Sequence, residues 1–187
     1  MLALQFTGPA AIQLLQYDRA AIGAGEGWRL LTAHLVHLNI RHAALDLGGL
    51  ALLWALFARD LAPRAWALVF IATIAAIDCG LWFLDPEVTW YVGVSGVLHG
   101  ILAAAIVVHL RRRDLEGWVL LGLLLSKLGY EQIHGPMPFA GNMPVVVNAH
   151  LYGALGGLAG AIIAVARVPA VGRAGVVPTG SGRAGEG

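Results

Sequence analysis

Residues 65–84 read AWALVFIATIAAIDCGLWFL, an apolar run from Ala65 to Leu84 interrupted only by Asp78. About 20 mostly apolar residues is the length at which a helix crosses a bilayer. Four further runs of this kind flank it. Asn39 to Phe57 carries His42 and Asp46, and Val92 to Leu110 carries Ser95 and His99. Trp118 to His134 holds Lys127 and Glu131, and Met143 to Val168 holds Asn148 and His150. The runs have helical lengths and little alternation, which predicts an all-α polytopic membrane bundle with five clear spans rather than a barrel.

Composition agrees. Of 187 residues, 58% are hydrophobic and 12% charged, with a mean hydropathy of +0.74. A soluble domain of this size has no interior large enough for that much apolar surface, and a disordered chain would be far more polar. The single cysteine, Cys79, excludes a disulfide framework and a cysteine-based zinc site. A formal net charge of +1 gives no field for nucleic acid. The length suits one domain, and the runs divide it as follows. Residues 1–27 form a short N-terminal apolar segment and loop, 28–168 the membrane domain, and 169–187 a disordered tail rich in Gly, Pro, Ala and Arg. Met1 to Leu15 is too short to span and lacks the positive start of a signal peptide. It reads as a short or truncated first helix, or as an interfacial segment.

The arginines set an orientation. With alternating crossings, Arg59, Arg64, Arg111, Arg112, Arg113, Arg167, Arg173 and Arg183 fall on one side, and Arg19, Arg29 and Arg41 on the other. The arginine-rich side is the cytoplasmic one. His42, Asp46, Asp78, Ser95, Lys127, Glu131 and His150 then fall in one layer, roughly 5–12 Å below the outer surface at about 1.5 Å per residue. Polar groups at such depth face a cavity or one another, so one layer fed by several helices describes a single site.

Within that layer, Gly93-Val94-Ser95-Gly96-Val97-Leu98-His99-Gly100 sets a serine among small residues at a helix start, where free N–H groups can stabilise an oxyanion. Asn148-Ala149-His150-Leu151-Tyr152-Gly153 offers His150 as the base that serine needs. Gly96 and Gly100 on one helix, and Gly153 and Gly157 on the other, make smooth faces that allow close approach. The same glycines also suit plain helix packing. His42 and Asp46, four apart, share a helix face, and Arg29 and His37 are placed to order the preceding loop. A metal reading competes, with His34, His37, His42 and Asp46 as ligands, although no His-Glu-x-x-His is present. Lys127 and Glu131 read as a buried ion pair or a substrate clamp. His99, one turn below Ser95, reads as support, His109 as interfacial, and His134 as a loop residue.

Taken in order, Trp28-Arg29, the entry with His37 and His42, Gly93-Val94-Ser95-Gly96 and Ala149-His150-Leu151-Tyr152-Gly153 resemble the rhomboid intramembrane serine proteases over about residues 28–165. Lys127 through Glu131-Gln132 makes the chain most similar to the rhombosortase branch. The resemblance implies a six-helix bundle in the bacterial inner membrane and a Ser95/His150 dyad that needs no metal or cofactor. His42 would match the oxyanion histidine, with Asp46, Gly93, Gly96 and His99 in support. The implied partners are the lipid bilayer and membrane-anchored substrates. Those substrates carry a C-terminal tail of a Gly-Gly motif, one transmembrane helix and a basic end. Two departures stand out. Asp46 replaces the usual Asn, which leaves it a protonated donor to the oxyanion, a carboxylate orienting His42, or without a part. The donor is the expectation, because Asn can donate. A first complete helix is also missing before Trp28. Two other classes stay open: a non-catalytic rhomboid-like binder of transmembrane clients, and a histidine-based metal membrane protein.

Overall fold

Asn39 starts the first long helix. Its side chain accepts the His42 backbone N–H at 2.9 Å, which caps α1, Ile40–Phe57. In the computed structural model, which describes residues 9–141 and 143–166, four more long helices follow. They are α2, Pro63–Phe83, α3, Ser95–Arg112, α4, Leu115–His134, and α5, Val147–Ala166. Each boundary has a local cause. Pro63 sits at the start of α2, where its missing N–H costs nothing. Arg113 takes a left-handed conformation, φ 62°, and stops α3, and Gly135 at φ 81° stops α4. The expected helix start at Val92 moves to Ser95, because Gly93 has φ +113° and breaks the helix there. The expected tail, 169–187, and residues 1–8 lie outside the described residues.

Among the described residues three helices, α1, α2 and α5, are long and apolar enough to cross a membrane. They are part of the five spans expected, and α3 and α4 have the length of a span but a more polar composition. Helix α3 is as long but carries Ser95, His99, His109, Arg111 and Arg112, and α4 carries Glu116, Lys127 and Glu131. The polar content of α3 is tolerated because α3 is central, packed against α1, α2, α4 and α5. Large apolar side chains such as Leu52, Trp54, Ile71, Leu123 and Ile162 face outward, as lipid contact requires.

Helix α5 is wedged between α2 and α3 on two glycine faces. Gly153 and Gly157 rest on the backbones of Gly96 and Gly100 of α3, and Gly156 and Gly160 on the Ala72 and Val69 turns of α2. A side chain at Gly153 would run into Gly96, so the close packing that helps hold helices together in a bilayer depends on its absence. Gly153→Val is therefore expected to destabilise the protein by about 1–3 kcal/mol or more, read as a lower Tm in detergent.

The N-terminal segment carries more structure than its composition suggests. A helix at Pro9–Leu15 leads into β1, Tyr17–Asp18, which pairs antiparallel with β2, Trp90–Tyr91, setting Tyr17 opposite Tyr91. Tyr17 is fully buried in the main core. The Arg19 guanidinium donates to the Leu81 and Trp82 carbonyls at 3.0 and 2.6 Å, at the C-terminal end of α2, where a cation is favoured. Arg29 ties the segment further, donating to the Gln13 and Gln16 carbonyls and to Glu26. The loop that delivers Ser95 is thus braced through β2.

Candidate active site

Ser95 is the first residue of α3, so its neighbourhood holds first-turn N–H groups without intrahelical acceptors. The approach is fixed by Gly93, whose N–H donates to the Ala33 carbonyl at 3.0 Å and whose carbonyl accepts from the Tyr91 hydroxyl at 2.8 Å. A Cβ on Gly93 would strike the His42 imidazole, so glycine serves both the backbone angle and the close approach. Burial pushes the Tyr91 hydroxyl well above its usual range and keeps it a neutral donor. Gly96 lies against the Ala149 carbonyl, which sets α5 beside Ser95.

That contact brings in His150. Its Nε2 lies 3.0 Å from Ser95 Oγ. Its Nδ1 lies 2.9 Å from Glu131 Oε2 on α4, and Lys127 Nζ donates to the same oxygen at 2.5 Å. The His99 ring stacks on that of His150, with centroids 4.3 Å apart and planes 18° from parallel. His99 is held in turn by its Nδ1, 2.7 Å from the Ser95 carbonyl. The imidazole is thereby clamped on one face and at both nitrogens. Lys127 and Glu131, expected to be an ion pair, are one, but they also reach His150; the sequence reading missed that contact.

Asp46, expected as a donor to the oxyanion, meets its neighbours through one oxygen. Asp46 Oδ2 accepts the Val94 N–H at 3.2 Å, and a backbone N–H can only donate. His37 Nε2 and His42 Nε2 lie 3.2 and 3.3 Å from the same oxygen. Leu38 N–H donates to His42 Nδ1 at 3.5 Å, which leaves Nε2 as the protonated nitrogen facing Asp46. Oδ2 therefore works as an acceptor at the junction of α1, the entry loop and the start of α3. Either form of the carboxyl can fill that place, and a donor role would fall to Oδ1.

Of the four residues of the metal reading, three come together and one does not. His34 turns away to Asp78, Nε2 to Oδ1 3.5 Å, while His37 and His42 share Asp46. A different trio, His99, Glu131 and His150, has ligand atoms within 4.8 Å of one another, but both nitrogens of His150 and Nδ1 of His99 already face Ser95 or Glu131. Asp78 thus faces the entry turn through its contact with His34. His134 ends α4 and stacks on Tyr130, so it is not in a loop. His109 is buried and bridges Asp60, Asp114 and Glu116 at the other end of the bundle. Asn148 donates to Asp85 at 3.0 Å.

Ser95, His150, His42, Asp46, His99, Lys127 and Glu131 all line one cavity of about 250 Å³, closed on one side by Trp90 and Tyr91 and on another by Met137, Met143 and Pro144. Its walls are mostly apolar and its few polar groups converge, as ligand sites do.

Comparison with known proteins fits this picture. The Rhomboid domain family matches residues 24–167. The chain is 26% identical over 162 residues to "Putative rhomboid protease YdcA" of Bacillus subtilis (strain 168), a match covering 84% of this chain and 79% of that protein. No solved structure matches. With a match across most of the chain and three helices fit to cross a bilayer, this membrane protein belongs to the rhomboid family.

Proposed function

We propose that the chain is an intramembrane serine endopeptidase in which Ser95 is the nucleophile and His150 the general base. The observation that carries this is the 3.0 Å contact from His150 Nε2 to Ser95 Oγ in a mostly apolar cavity. Nε2 takes the Ser95 proton as Oγ adds to the scissile carbonyl, then gives it to the leaving amine. Water, deprotonated by the same imidazole, releases the acyl group. The free N–H groups at the start of α3 face the developing oxyanion. His42 contributes beside them, held by Asp46.

In this reading all five long helices cross the bacterial inner membrane. The protease unit is residues 28–168, the site opens to the periplasmic side and the C-terminus is cytoplasmic. Helices α3 and α4 cross because their polar groups face the bundle and the site rather than lipid. The substrate is a membrane-anchored protein with a transmembrane helix. The rhombosortase-like motifs favour a C-terminal Gly-Gly, helix and basic tail, and a cavity of about 250 Å³ suits small residues at the cleaved bond.

A fluorophosphonate probe should label the detergent-solubilised protein, and Ser95→Ala should abolish labelling. Continued labelling of that variant would show that another residue is the nucleophile. EDTA should leave cleavage of a transmembrane substrate unchanged, since no step uses a metal. Loss of activity restored by zinc would instead favour the metal reading.

A further inference from the structure

We infer that Glu131 is a positioning residue that completes a Ser95–His150–Glu131 triad, with Lys127 anchoring its carboxylate. The inference rests on the Ser95/His150 reading and deepens it. Glu131 is almost fully buried, and its Oε2 faces His150 Nδ1 at 2.9 Å. Nδ1 has a second neighbour, Lys127 Nζ, at 3.2 Å. The two neighbours demand opposite protonation. A carboxylate can only accept, so it calls for Nδ1–H; an ammonium can only donate, so it calls for a bare Nδ1. The carboxylate contact is the shorter, and the ammonium already directs a proton to Oε2 at 2.5 Å. Nδ1 therefore carries the hydrogen, and the Nε2 lone pair is aimed at Ser95 Oγ. That is the tautomer a general base requires.

Glu131 also sits between two cationic groups at the moment of reaction. Once His150 has taken the serine proton, its imidazolium lies next to the Lys127 ammonium. The Oε2 atom touches both. Without the carboxylate the imidazolium would form against an unscreened like charge. The His99 ring on the face of His150 prevents the imidazole from swinging away in search of another partner.

The simpler alternative is a structural ion pair in which Glu131 does no more than neutralise Lys127. The two are separated by comparing Glu131→Gln with Glu131→Gln combined with Lys127→Met, on a purified enzyme and a transmembrane substrate. The expected result is a fall in kcat of about 10³- to 10⁴-fold for Glu131→Gln with KM little changed. The double variant should recover at most about tenfold, because the tautomer remains wrong. Return of the double variant to within a few-fold of the native kcat would overturn the triad, as would native kcat in Glu131→Gln alone. Should Glu131→Gln fail to fold, the native protein still decides. With ¹⁵N-labelled histidine, the His150 signal, assigned by its loss in His150→Gln, should report hydrogen on Nδ1. Hydrogen on Nε2 of the neutral ring would overturn the inference. Failure of the underlying protease reading is distinct: Ser95→Ala would then remain active whatever Glu131 does.

Discussion

Ser95→Ala and His150→Ala are each expected to lower kcat on a transmembrane substrate by about 10⁴-fold or more, with the Ser95→Ala/His150→Ala double variant little slower than either. The reason is that the two side chains act in one proton transfer. The serine hydroxyl is a weak nucleophile until Nε2 removes its proton, and the imidazole has nothing to activate once Oγ is gone. Their 3.0 Å contact gives no room for a water between them, so neither replaces the other through solvent. KM should move little, because the cavity walls that hold the substrate, from Trp90 and Tyr91 to Met143, are untouched. Stability should also change little on Ser95→Ala, which removes one oxygen from a partly exposed helix start. If the double variant multiplied the losses of the two singles, the residues would be acting independently and the shared step would be wrong. If both singles kept native kcat, other groups would carry the reaction, whereas a native chain that binds but never cleaves would be a binder of transmembrane clients.

Much of this geometry is legible in the sequence, for a physical reason. Glycines four apart on two apolar runs announce helix faces that can touch, and the structure has Gly153 and Gly157 on Gly96 and Gly100. Since Ser95 and His150 sit one turn or less from those faces, bringing the faces together brings the side chains together. The contact from Glu131 to His150 is not legible in the same way. Lys127 lies four residues before Glu131 on one helix and supplies a sufficient local partner, so nothing in the chain calls for a second one across 19 residues. The β1–β2 ribbon is hidden for another reason. Two-residue strands carry no alternation to read, although Tyr17 and Tyr91 face each other across it. The expectation of five clear spans weighed apolar runs alone. It did not weigh the polar groups of α3, of which Ser95, His99 and His109 lie within the bundle while Arg111 and Arg112 stay exposed at its end.

The second large effect is expected at Asp46. Asp46→Ala should cost about 3 kcal/mol or more of stability and lower kcat/KM by about 10²- to 10³-fold. The carboxylate is the common acceptor for the Val94 N–H and for the two imidazoles of His37 and His42, and His37 is completely buried. Removing it takes the acceptor from three donors, of which the Val94 N–H and His37 are buried and His42 is partly exposed to the cavity. The loss reaches the chemistry because Val94 is the residue before Ser95 and because His42 lines the same cavity. Thermal unfolding and cleavage kinetics on the same preparations separate the two consequences. Asp46→Asn is the informative partner. Its amide oxygen can take the place of Oδ2 and keep the Val94 N–H bonded, but it brings no charge to hold two imidazole N–H groups. It is therefore expected to lie between native and Asp46→Ala, roughly tenfold slower than native. A donor role makes a different forecast: Asn, which always has a proton to give, would match or exceed Asp in rate, and only Ala would be slow. An Asp46→Asn variant faster than the native enzyme would thus sink the acceptor assignment and return Asp46 to the oxyanion. An intermediate rate, with a Tm also between the two, fits a carboxylate that acts by fixing the start of α3 and the His42 ring.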